Sequence, residues 1–451
     1  MGSWFRRVPL CLLFGAAWIP AHVQAQSGAW ALTNAKIETV TKGTIGRGTI
    51  IIRDGVIESV GANAAIPADA RVMDLANRTV YPGFIDLTST IGLPPVQNRP
   101  AGNPFQGAAP DTTQRNIGLE PNRLVANELS PASADVRAAR DRGITTALVA
   151  PDRGVFRGLS AMIPLRDDTA TRWIVRSPVA LHVGYERVNG RFPGSLLGVI
   201  AYQRQALYDA QRHARLVDRS RTTARGLARP SYDADLDALV PVVQGELPAF
   251  IAASNENEIR RAVALGKEFS LKLSIVGATE GFRAIDAFKG TGTAVVSVNF
   301  PAPTDVTGWG YRGATRLAQD DSATRAAAAT RVIEGNAATL HKAGVRFALA
   351  SGGLRPAEFM TNVRKAVAAG LPRETAIEAL TIRAAEAAGV QEQLGSIEQG
   401  KIANLLIMTG DALTDSARLE SVFVDGERYA VVQAPADSTR GGRRPRQENK
   451  R

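Results

Sequence analysis

Thr79 to Gly92 reads TVYPGFIDLTSTIG, and this stretch decides the fold. Val80 and Tyr81 close an apolar, β-branched run. Pro82-Gly83 signals a turn, because proline pre-sets φ and glycine accepts φ > 0. Phe84-Ile85-Asp86-Leu87 is the kind of short apolar run that fills a buried parallel strand. Thr88 and Thr90 follow it two residues apart, so a strand places both on one face. The stretch marks the hand-over from a small leading β unit to a larger body.

Upstream, Trp30–Glu38, Gly48–Arg53 and Val56–Val60 read as short strands, with Asp54-Gly55 as a hairpin turn. Gly395–Asp411 and Leu419–Gly426, near the other end, have the same character. Between Pro82 and Leu394 apolar strand-like runs alternate with helical patterns, the mark of a parallel α/β barrel. Strands are expected at 145–150, 179–183, 249–253, 271–276, 294–299 and 346–351. Ser160–Leu165 supplies the eighth that a barrel needs. Helices are expected at 133–142, 201–218, 256–269, 279–288, 323–343, 357–369 and 373–388. Asn255 reads as an N-cap with Glu258 three residues on, and Gly344 as a stop. Leu93–Asn127 is rich in Pro, Gly, Asn and Gln. It reads either as a loop at the barrel mouth or as a plain surface insertion.

The chain of 451 residues, 45% hydrophobic and 22% charged, has the composition of a globular protein rather than a disordered one. Its formal charge is +11. Arg6 and Arg7 fall in residues 1–25, which read as a secretory leader: a basic start, an apolar stretch from Val8 to Ile19, and Val23-Gln24-Ala25 as a cleavage site. A retained anchor is the alternative. The basic tail 436–451 carries six Lys/Arg against two Asp/Glu and reads as disordered. What remains on the body is too diffuse to argue for nucleic acid. Cys11, the only cysteine, lies in the leader, so the mature chain is expected to have no disulfide and no thiolate ligand.

The run Pro82-Gly83-Phe84-Ile85-Asp86 resembles the first barrel strand of the amidohydrolase superfamily, whose signature continues Asp-x-His-x-His. Gly395-Ser396-Ile397-Glu398-x-Gly400-Lys401-Ile402-Ala403-x-Leu405, then Gly410-Asp411 and Val424-Asp425-Gly426, is similar to that family's closing segment. Asn404 stands where the family usually has Asp. The resemblance, to the imidazolonepropionase-like branch, spans about Trp30 to Tyr429. It implies an α/β fold, a (β/α)8 TIM-type barrel over 82–394. A small β-sandwich is implied beside it, built from 28–81 and 395–432. It also implies hydrolysis of C–N bonds in cyclic amides, amino-acid derivatives or dipeptides, assisted by zinc or another divalent metal.

The family's ligand positions map onto residues without metal-binding side chains. The histidine pair falls on Thr88 and Thr90, the lone histidine on Ala252, the next on Gly277, and the aspartate that shuttles the proton on Gly352, beside Ser351. The mature chain holds only His182, His213 and His341, and one imidazole near the mouth does not assemble the three or four ligands zinc takes. No catalytic residue and no metal is therefore expected. Thr88, Thr90, Ala252, Gly277, Ser351 and Gly352 become candidate pocket residues, and Arg153, Arg157 and His182 candidate anion contacts. Either the protein is a degenerate, non-hydrolytic relative, or it is an active amidohydrolase with an unusual or metal-free site. In the first case it binds a small amide or amino-acid-derived ligand, forms a homo-oligomer or pairs with an active paralogue. The leader implies a periplasmic or extracellular location, with no membrane after cleavage.

Overall fold

The computed structural model describes residues 29–94, 119–130, 134–167, 174–187, 192–222, 230–300 and 327–431. The expected leader, the basic tail and most of the stretch 93–127 lie outside them.

Five strands come first: β1 (Trp30–Glu38), β2 (Thr44–Arg53), β3 (Val56–Gly61), β4 (Arg71–Asp74) and β5 (Thr79–Pro82). Nine follow in the body: β6 (Phe84–Ser89), β7 (Ile144–Val149), β8 (Phe156–Leu159), β9 (Ala161–Pro164), β10 (Leu181–Val183), β11 (Ala249–Ala253), β12 (Leu273–Gly277), β13 (Ala294–Ser297) and β14 (Phe347–Ala350). β15 (Leu405–Thr409), β16 (Arg418–Val424) and β17 (Glu427–Ala430) close the described chain.

The two ends share one sheet, in the order β17-β16-β15-β5-β1-β2-β3 with β4 on β1. The join is the antiparallel pair β5–β15, which sets Val80 opposite Ile407 and Tyr81 opposite Leu406. Alternation along these strands divides the side chains between two cores. Val80, Leu405 and Ile407 enter a cluster with Leu32, Ile50 and Phe423. Tyr81, Leu406 and Met408 enter the large core of the body. Each such apolar side chain is worth about 1.5–3 kcal/mol buried, and a one-residue slip would exchange the two sets, so register is strongly specified. Where a sandwich of two sheets is expected, the hydrogen bonding forms one eight-stranded sheet.

β5 runs into β6 through Gly83 alone. This glycine is needed for a different reason from the turn reading, since its φ is not positive. A Cβ there would stand 2.0 Å from Thr145 Oγ1, so it is the close approach of β7 that demands glycine.

The body is a mixed α/β domain. One sheet runs β14-β13-β12-β11-β10-β8, the other β6-β7-β9. The ladders from β10 to β14 and between β6 and β7 are parallel. The arrangement is consistent with a TIM-barrel-type domain, although the sheets do not close into one ladder. Near β9, Ser160 N donates to Ala180 O at 3.0 Å and Val179 N to Ser160 O at 3.0 Å. The expected eighth strand is real, but as β9 it runs antiparallel to β7. β8 before it is likewise antiparallel to β10. Only Ser160 separates β8 from β9, too short a connection for a parallel crossover.

Helices cover the parallel strands. Asn255 caps the helix Glu256–Glu268 by accepting from Glu258 N at 3.0 Å, as its sequence implies. The expected helix 279–288 is instead two short 3-10 turns, Gly281–Arg283 and Ile285–Phe288. The expected helix 373–388 breaks at Thr381, whose hydroxyl bonds Ile377 O at 2.6 Å. The helix Ala234–Val243, masked in the sequence by its internal Pro241, was not expected. Among the described residues no helix is long and apolar enough to cross a membrane.

Candidate functional site

A cavity of about 690 Å³ opens at the C-terminal ends of the parallel strands. Six positions singled out from the sequence, Thr88, Thr90, Ala252, Gly277, Ser351 and Gly352, all line it. So do Arg157 and His182, whereas Arg153 does not. Sequence reasoning missed the lining carboxylates Asp86, Asp135 and Asp152, and also Ser254, Ser297 and Asn299, which add hydroxyl and amide groups to the wall. Asp86 carries the one retrievable signal, a carboxylate within an otherwise apolar buried run.

Asp86 organises the seam between β6 and β14. Its Oδ2 accepts from Ser351 Oγ at 2.7 Å and its Oδ1 from Ser351 N at 2.9 Å and Thr88 N at 3.2 Å. Thr88 Oγ1 in turn accepts from Gly352 N at 2.7 Å. Asn299 Nδ2 donates to Gly352 O at 3.0 Å, and Asn299 N to Ser297 Oγ at 3.0 Å. The carboxylate and both hydroxyls are thus committed to holding backbone.

Gly352 has φ +63, and a Cβ there would stand 1.9 Å from Ser297 Oγ. Gly277 has φ +102, with a Cβ falling 2.9 Å from Ser254 Oγ. The backbone at these two positions is in the region that favours glycine. An aspartate or histidine there needs a different local chain path.

These residues do not fit a divalent metal. Neutral hydroxyls are poor zinc ligands, and those at Thr88 and Ser351 are already engaged. Among the described residues no group of three or more His, Cys, Asp or Glu is placed to hold a metal ion.

His182 is buried on β10, opposite Phe250 in the ladder, with ring centroids 5.4 Å apart. Burial, reinforced by the nearby Arg157 cation, pushes its imidazole down to about 3. Its Nε2 is buried without a hydrogen-bond partner. Burial thus favours the neutral imidazole at physiological pH, so any contact it makes with an anion is a hydrogen bond and not an ion pair. His213 bonds Asp237 Oδ1 at 2.8 Å and His341 approaches Thr375, both away from the cavity.

The fold, with the cavity at its strand ends, is a mixed α/β one consistent with a TIM-barrel-type domain. The sequence model of the Amidohydrolase family matches residues 248–432. Among solved structures the chain is similar to an amidohydrolase from Thermotoga maritima MSB8, with TM-score 0.71 and 21% identity over 88% of this chain and 98% of that one. It is also similar to a prolidase complexed with N-methylphosphonate-L-proline, with TM-score 0.51 and 15% identity over 89% and 99%. A dihydroorotase of Anaeromyxobacter dehalogenans (strain 2CP-C) is 49% identical over 45 residues, only 10% of each chain. Residues 248–432 thus carry the likeness to the Amidohydrolase family, and the solved structures share the fold over most of the chain.

Proposed function

We propose that this protein is an exported, non-hydrolytic amidohydrolase relative that holds a small amide or amino-acid-derived ligand in the cavity at its strand ends. The observation that carries the reading is Gly352. The family's proton-shuttling aspartate maps to a residue with left-handed backbone whose Cβ direction is filled by Ser297. Hydrolysis by this family's route needs a cation to acidify water and a carboxylate to move the proton. The cavity offers hydroxyl and amide groups for hydrogen bonding, with the Asp86 carboxylate engaged by Ser351, in a volume suited to a small ligand. Arrangement as a homo-oligomer or beside an active paralogue is compatible with this role. Export rests on residues 1–25, and terminal sequencing of the exported protein should begin near Gln26.

The test pairs a thermal-shift screen of dipeptides, cyclic amides and N-acyl amino acids with a hydrolysis assay on the same compounds. A bound ligand at a hundred times its dissociation constant adds about 2.7 kcal/mol, an easily read shift. Stabilisation without turnover supports the proposal. Turnover would replace it with an active enzyme whose site is unusual.

A further inference from the structure

Arg157 is placed in the cavity wall by an irregularity. The β8–β10 ladder pairs Gly158 with His182 and Phe156 with Val183, leaving Arg157 as an extra residue on β8. Such bulges re-aim a side chain out of the regular alternation. The Arg157 side chain is only 13% exposed and lines the cavity. Gly184 makes this position possible: a Cβ there would fall 2.4 Å from Arg157 Nη2 and 2.8 Å from its Cζ. The guanidinium therefore lies directly against the peptide at Gly184, which Gln203 Nε2 fixes by donating to Gly184 O at 2.9 Å.

An arginine carries five N–H donors and no acceptor. Here Nε donates to Gly154 O at 3.3 Å. The nearest carboxylate oxygen, Glu186 Oε1, stands 3.8 Å from Nη2, beyond hydrogen-bond range. Glu186 Oε2 is occupied by Gly154 N at 2.9 Å. The fork of a well-buried guanidinium is thus held in place, its Nη donors making no hydrogen bond to the described residues, in a cavity whose lining also carries the carboxylates of Asp86, Asp135 and Asp152. Arg355 also lines the cavity, but it is exposed and paired with Glu358.

We propose that Arg157 is the specificity-determining residue of this cavity, gripping the carboxylate of an N-acyl amino acid or dipeptide through its free guanidinium fork. The proposal rests on the ligand-binding reading above and names its ligand class. Planar forks of this type bind carboxylates through two parallel hydrogen bonds. The hydroxyl and amide groups of Ser254, Ser297 and Asn299 are left to meet the neutral, amide-bearing part of the ligand.

The experiment is calorimetric titration of the full mature chain. The probes are N-acetyl-alanine, N-acetyl-leucine, N-acetyl-proline and N-acetyl-glutamine, each against its N-methylamide. At least one acid should bind about tenfold or more tighter than its amide. Arg157→Met should lose about tenfold to a hundredfold for the acid and leave the amide unchanged. Arg157→Lys, which keeps charge but not the fork, should fall between. Gly184→Ala keeps the cation but displaces it, so it should weaken the acid too. This variant also guards against a merely misfolded Arg157→Met. Arg204→Met, at a surface pair with Glu268 outside the cavity, should bind as the parent does. Equal affinity for acid and amide, full acid affinity in Arg157→Met, or no acid bound at millimolar concentration would each overturn the proposal. Hydrolysis of an acid whose affinity still depends on Arg157 would instead sink the non-hydrolytic reading and leave the carboxylate grip standing.

Discussion

Ser351 Oγ donates to Asp86 Oδ2 at 2.7 Å while Ser351 N donates to Asp86 Oδ1 at 2.9 Å. This two-point bond ties the first parallel strand to the last, across a seam that carries no backbone ladder among the described residues. In the family resemblance the same strand ends are where metal ligands gather. Here a carboxylate and a hydroxyl bond those ends to each other directly.

Asp86→Asn should therefore cost stability. The amide cannot accept at both former oxygens, so a buried donor of Ser351 goes unpaired at about 1–3 kcal/mol. The double variant with Ser351→Ala should lose less than the two single losses added, because both remove one interaction. Urea unfolding of the four proteins measures this directly. Strict additivity would mean the pair is incidental.

Restoring the family aspartate should not restore chemistry. Gly352→Asp puts a side chain on a left-handed residue, at about 1–3 kcal/mol, and drives its Cβ toward Ser297 Oγ. The expected result is a lower midpoint of thermal unfolding and no stoichiometric zinc by elemental analysis. Adding Ser297→Ala should recover only the steric part of the loss.

His182 should make the protein acid-sensitive. Its folded value of about 3 lies below the ordinary 6.5. Above pH 6.5 the imidazole is neutral folded or unfolded and contributes no pH dependence. As pH falls from 6.5 toward 3, the unfolded chain takes up a proton that the native chain refuses. Stability is thereby lost with falling pH, by about 3 kcal/mol at pH 4. His182→Leu should lose less between pH 7 and pH 4 than the parent, read from urea midpoints at both. Parallel losses would show that the imidazole is accessible to protons in the folded state.

Asn404 should prove a structural joint. Its side chain accepts from Asp425 N at 2.7 Å and donates to Thr146 Oγ1 at 3.0 Å, while its carbonyl accepts from Gly83 N at 2.8 Å. It thereby links β7, the β16–β17 turn and the β5–β6 passage. Asn404→Ala removes the two side-chain bonds and leaves a buried donor exposed to nothing, at about 1–3 kcal/mol. Asn404→Asp, the residue the family usually carries, should lose less, because Thr146 can donate to it.

Much of this architecture is written locally. Apolar runs of four to six residues, separated by helical periodicity, locate most of the parallel strands. The Pro-Gly-Phe-Ile-Asp stretch marks where the terminal sheet passes into the body. The family resemblance picks out Thr88, Thr90, Ala252, Gly277, Ser351 and Gly352, and they meet in one cavity because residues just past parallel strands converge at one mouth.

What the pattern could not carry is anything decided by partners distant in the chain. Strand direction at β8 and β9 depends on which neighbour is met, not on apolar content. Gly83 and Gly184 are glycines because Thr145 and Arg157 come close, and nothing adjacent in sequence announces either neighbour. Asp86 became the keeper of the seam only when Ser351, far along the chain, was brought beside it. Arg157 and Arg153 look alike in sequence, and a bulge against β10 turns the first toward the cavity while the second does not line it. Residue type and spacing set local conformation through short-range sterics and burial. Hydrogen-bond partners, close approaches and the aim of a side chain belong to the packed whole, and only the tertiary structure decided them.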